Sequence, residues 1–61
     1  MTPTDCVKDR LAAYYYWSDR QSFEQAVMVA KQHEIDMDDI QKWTEKEGKL
    51  EEFKSFQDRI L

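Results

Sequence analysis

Apolar side chains recur at spacings of three and four residues along most of the chain, the spacing of one face of a helix. The first stripe is Val7, Leu11, Tyr14 and Tyr15, with Ala12 on its flank, and it predicts a helix that runs to about Trp17. At its start Thr2 or Thr4 offers a hydroxyl to the free backbone N–H groups, Pro3 is tolerated in the first turn, and Asp5 suits the positive end of the helix dipole. Ser18-Asp19-Arg20-Gln21 reads as a capping box, with the Ser18 hydroxyl accepting from the N–H of Gln21 and the Gln21 amide reaching back. A second helix beginning there carries Phe23, Ala26, Val27 and Ala30 on one face, and its alanines allow a neighbouring helix to come close.

The third start is the clearest. Ile35 precedes Asp36 and Ile40 lies four residues after that cap, so the two isoleucines are spaced as a hydrophobic staple, with Asp38 and Asp39 in the positive first turn. Trp43 continues the Ile40 face, and Gly48 is placed to take the left-handed conformation that closes a helix near Glu47. From about Lys49 a fourth stripe of Leu50, Phe53, Phe56 and Ile60 follows, with charged residues between its members. Short connections make consecutive helices neighbours. The expectation is therefore an all-α chain, a compact bundle of three to four short helices near residues 4–17, 19–33, 37–47 and 49–60, forming a single domain over residues 1–61. Its core is expected to include Val7, Leu11, Phe23, Val27, Ile40, Trp43, Phe53 and Ile60.

Composition sharpens this picture in two ways. One Gly and one Pro among 61 residues leave little material for hairpin turns or phosphate-cradling loops, which favours helices. A chain of this length buries only about 60% of the surface its unfolded form exposes. Two Trp, three Tyr and three Phe compensate with unusually large apolar side chains, although a partner could be needed to complete the core.

Nine Lys and Arg against thirteen Asp and Glu give a net charge of −4, which opposes the counterion release that drives nucleic-acid binding, so no nucleic-acid partner is expected. Cys6 stands alone and can form no internal disulfide, and no apolar run is long enough for a signal-peptide core or a membrane span. A reduced, cytoplasmic protein without membrane association is expected.

Candidate chemistry is sparse. Asp36-Met37-Asp38-Asp39 invites a calcium reading, yet a calcium loop of the helix–loop–helix type needs an oxygen ligand where Ile40 stands and a glycine where Gln41 stands; helix capping accounts for the carboxylates. A zinc site would draw on the single Cys6 and single His33 and otherwise on carboxylates, so no metal or cofactor is expected, and His33 is read as a C-terminal helix residue. No phosphate loop, strand-borne nucleophile or Cys/His spacing suited to catalysis is present, so the isolated chain is not expected to be an enzyme. Tyr14-Tyr15-Tyr16-Trp17 is the informative anomaly: consecutive helical residues point about 100° apart, so four large rings cannot all face one core. At least one is left outside, either covered by other parts of the chain or available to another protein or another copy. Lys8-Asp9-Arg10 and Asp19-Arg20 read, taken alone, as salt-bridged surface.

The run Cys6-Val7-Lys8-Asp9-Arg10-Leu11-Ala12-Ala13, followed by Asp19-Arg20-Gln21-Ser22 and by Ile35-Asp36 with Ile40 and Trp43, resembles the C-terminal helical part of nucleotidyltransferase-like proteins of the abortive-infection toxin and minimal-nucleotidyltransferase kind. In that family an N-terminal mixed sheet carries a Gly-Ser turn and paired aspartates that hold magnesium and nucleotide, and a lysine on a following helix is a further active-site element. The resemblance implies that Lys8 matches this lysine and that Asp19 matches an acidic position at the start of the next helix. Both would serve catalysis only where the sheet domain is supplied, because the Gly-Ser turn and the sheet are missing from this sequence. The expected function is accordingly a non-catalytic helical interaction or accessory module related to such toxin systems, with Tyr14, Tyr15, Tyr16 and Trp17 as its contact with a protein partner or with itself. The alternatives are a severed part of an active nucleotidyltransferase and a small acidic antitoxin-like regulator.

Overall fold

Side chains adjoining three of the four helices accept from one or two of the N–H groups left open at their starts, and two left-handed residues close two helix ends. In the computed structural model, which describes residues 2–60, α1 spans Pro3–Trp17, α2 Arg20–Gln32, α3 Met37–Glu47 and α4 Leu50–Ile60, and none of the described residues lies in a strand. Thr2 caps α1, its hydroxyl accepting from the N–H of Asp5 at 3.1 Å, with Pro3 as the first helical residue.

The junction of α1 and α2 departs from the expected capping box. Ser18 does not cap α2. It takes a left-handed conformation (φ 53°) and closes α1, its N–H donating to the Tyr14 carbonyl at 2.9 Å. Asp19 is the cap instead: its carboxylate accepts from the N–H groups of Gln21 and Ser22 at 3.0 and 3.2 Å and from the Ser22 hydroxyl at 2.9 Å. With only two residues between the helices, one must end the first and the other begin the second, and a carboxylate that takes three donors suits the second task better than a hydroxyl.

The start of α3 follows the sequence pattern. Asp36 accepts from the N–H of Asp39 at 3.0 Å, while its own N–H donates to the Thr4 hydroxyl at 3.0 Å and so ties this loop to α1. Ile40 is fully buried and Ile35 packs against the core from the loop. Gly48 closes α3 at φ 72°, with its N–H donating to the Glu45 carbonyl and the Lys49 N–H to the Thr44 carbonyl, the paired bonds of a Schellman turn.

Helices of 11 to 15 residues fit within 25 × 24 × 23 Å, so they cross around a common centre rather than aligning into an elongated bundle. The α1–α2 interface is the most extensive, and α4 packs across α2 and α3. The interior holds Val7, Leu11 and Tyr15 of α1, Phe23, Ala26 and Val27 of α2, Ile40 of α3, and Phe53 and Phe56 of α4. Trp43 and Ile60, expected in the core, lie partly buried on its flank. On α3 the inward positions are Ile40 and Thr44, a spacing of four, which leaves Trp43 to one side. Leu50, the first residue of α4, is exposed, because the stripe of that helix reaches the core only at Phe53. Buried Thr44 is paired, its hydroxyl lying 3.0 Å from that of Tyr15, and none of the described buried side-chain polar atoms lacks a partner. Among the described residues no helix is long and apolar enough to cross a membrane.

Candidate functional site

The four rings at the end of α1 fan out by about 100° per residue and meet four different environments. Tyr15 points inward. It is 5% exposed, stacks on Trp43 at 5.7 Å between ring centres, and shares its hydroxyl bond with Thr44. Burial, reinforced by the nearby Glu52 and Tyr14 and offset in part by the Thr44 bond, pushes its phenol up to about 12. Tyr14 is half-buried and packs on Phe23 with centres 4.6 Å apart. Tyr16 lies on the surface, donating to the Glu47 carboxylate at 2.6 Å with the Lys49 ammonium 5.6 Å from its ring centre, so it bridges α1 to the α3–α4 turn. That bond to Glu47 holds the Tyr16 phenol above its ordinary value.

Trp17 is 82% exposed. Of the four residues expected to contact a partner, it is therefore the most available, Tyr16 is available in part, Tyr14 offers an edge, and Tyr15 is withdrawn into the core.

Beside this corner runs an open groove of about 670 Å³, floored by Tyr14 and Phe23 and edged by Ser18 and Arg20 on one side and Ser55, Asp58 and Arg59 on the other. It forms where the end of α1, the start of α2 and the last turns of α4 meet. Arg59 makes a two-pronged bond to Glu24 at 2.6 and 2.8 Å and sits 5.8 Å from the Phe23 ring centre. The pair holds the Glu24 carboxyl below, and the Arg59 guanidinium above, their ordinary values. Arg20 forms no ion pair among the described residues.

Lys8 and Asp19 are not brought together. The Lys8 ammonium donates to Asp39 at 2.7 Å, joining α1 to the first turn of α3. Asp19 is committed to its cap, and its bonds with Ser22 and Gln21, the Ser22 hydroxyl foremost, hold its carboxyl below the ordinary range. Lys8 and Trp17 are nine residue steps apart, about 14 Å of helix, with Asp19 further on.

Asp36 and Asp39 are likewise engaged, one in a cap and one in an ion pair. Cys6 and His33 line one small surface pocket of about 260 Å³, His33 terminating α2 with its N–H on the Val29 carbonyl. Among the described residues no group of three or more His, Cys, Asp and Glu side chains converges as a metal site requires.

Two features had no local signature in the sequence. Thr44 joins the core through a partner 29 residues away, although its spacing of four from Ile40 marks it afterwards as an inward position. The groove assembles Arg20 with Arg59 across the fold, which no short-range pattern encodes. Set against protein-family models, curated proteins and solved structures, the chain gives no significant match.

Proposed function

We propose that this chain is a non-catalytic helical module that docks on another protein, or on a second copy of itself, through the C-terminal end of α1. The observation that carries the reading is Trp17, a residue 82% exposed where nine apolar residues among those described are buried. A small domain gains stability by burying its large apolar side chains, and an exposed Trp near Tyr and Arg residues is the composition of an interface hot spot. The lone Cys6 suits the reducing cytoplasm, where this reading places the protein.

The relation to nucleotidyltransferase-like toxin systems belongs to the same proposal and rests on the residue pattern of the first two helices. In a complete transferase Lys8 would have to give up Asp39 to reach a nucleotide, so Lys8→Ala there should abolish transfer, whereas in the docking module it should leave association unchanged.

Replacing Trp17 with serine is the test of docking. Sedimentation and binding should show association lost in Trp17→Ser while the helical circular dichroism and melting temperature are kept. Association undiminished in that variant would contradict the reading.

A further inference from the structure

We infer that two copies of this chain associate through the outer face of the α1–α2 hairpin, with α1 of one copy crossing α1 of the other near Ala13. The inference rests on the docking reading above and commits it to one occupant, a second copy.

The outer side of α1 carries Cys6, Arg10, Ala13 and Trp17, spaced by four, three and four residues and so aligned on one helical stripe. The outer side of α2 repeats that spacing with Gln21, Gln25, Met28 and Gln32. None of these residues is buried, and Trp17 and Met28, at 82% and 55%, are the most exposed of the large apolar residues described. Contacts with the rest of the fold leave from other sides of both helices: Lys8 and Tyr16 of α1 reach α3, and Glu24 of α2 reaches Arg59 of α4. The small pocket that Cys6 shares with Val29 sets the two helices side by side along this face.

Charge selects the occupant. In a chain with thirteen Asp and Glu, the two stripes hold no carboxylate and a single base, Arg10. Residues up to Gln32 carry four acids and four bases, while those beyond carry nine acids and five bases, so the net charge of −4 belongs to the α3–α4 half. Two copies that meet through the α1–α2 face keep these acidic halves apart, whereas contact through α3 or α4 would press them together. The one charge on the face is also matched within it. Arg10 forms no ion pair and lies over no ring among the described residues, and Trp17 stands seven residues, about 10 Å of helix, beyond it. When α1 runs antiparallel to its counterpart about a two-fold axis near Ala13, the guanidinium of Arg10 in each copy meets the indole of Trp17 in the other, giving two identical cation–π contacts. Alanine at the crossing lets the two helices come close.

The test is sedimentation equilibrium of the full chain over a range of concentrations, with Trp17→Ser and Arg10→Glu in parallel, joined to disulfide trapping of Ala13→Cys in a Cys6→Ser background. Circular dichroism verifies that each variant keeps its helices. The unmodified chain should dimerise as its concentration rises, and Arg10→Glu should raise the dissociation constant by about tenfold or more. Ala13→Cys should be trapped as a dimer on oxidation, because residue 13 faces its own copy across the axis, while Lys31→Cys in the same background should not. A chain that stays monomeric over the whole range would overturn the second copy and leave docking on a different protein standing. Dimerisation that survives Trp17→Ser would overturn the docking reading as well. Dimerisation lost in Trp17→Ser, yet indifferent to Arg10→Glu and not trapped at position 13, would overturn the crossing at Ala13 while keeping the docking reading.

Discussion

Ser18 and Tyr15 show how single residues carry constraints that the pattern of apolar positions does not announce. Ser18 has a left-handed backbone with a side chain attached, a conformation that costs an ordinary residue about 1 kcal/mol and glycine nothing. Ser18→Gly should therefore be neutral or stabilising, and Ser18→Val should destabilise by about 1–2 kcal/mol in chemical denaturation; a stable valine variant would contradict the conformation. Tyr15 is protonated by preference in the fold, with a phenol raised from 10 to about 12. The stability this contributes is complete below the ordinary phenol value and is lost as pH rises through the folded one. Melting temperature should accordingly fall between pH 10 and about 12, and that fall should be smaller in Tyr15→Phe. A Tyr16→Phe background removes the other raised phenol from this comparison.

At the scale of the elements, caps explain why four short helices hold their ends. Asp36→Ala and Asp19→Ala should each cost about 1 kcal/mol, measured by urea denaturation. The Asp19 carboxylate is favoured in the fold, so its contribution is present above the ordinary value of 3.8 and is lost as pH falls below it through the lowered folded value. Stability of Asp19→Asn should lose that acid dependence. The Asp36 cap, the isoleucines around it and the glycine closure were legible in the sequence because each depends on neighbours within about five residues. The Ser18–Asp19 junction differs from its sequence pattern for a physical reason: two adjacent capping residues compete, and the choice is settled by how closely α1 and α2 meet, which the local sequence does not state. Its spacing of three from Ile40 puts Trp43 in the expected core, but Thr44 at four takes the inward position once paired with Tyr15.

For the whole molecule, the fold class and helix order follow from apolar spacing, whereas the crossing arrangement and the groove depend on contacts between residues far apart in the chain. Phe56 is fully buried where α4 meets the aromatic cluster, with Phe23 and Phe53 rings 6.4 and 6.2 Å away. Phe56→Ala should cost about 3–5 kcal/mol, enough to unfold a domain this small, and Trp43→Ala should cost less, because its indole is only half-buried. Equal melting of the two variants would contradict the assigned core. The candidate surface was legible in part: four consecutive aromatic residues on a helix required an outward ring, but only the packing decides that it is Trp17 and that Tyr15 goes inside. A photo-crosslinking benzophenone side chain in place of Trp17, with Lys31 replaced in the same way as a control, tests this account most directly in cells expressing the protein. Position 17 should yield a discrete adduct with one partner protein or with a second copy, and position 31 should not; no discrete adduct from position 17, or the same adducts from both, would contradict it.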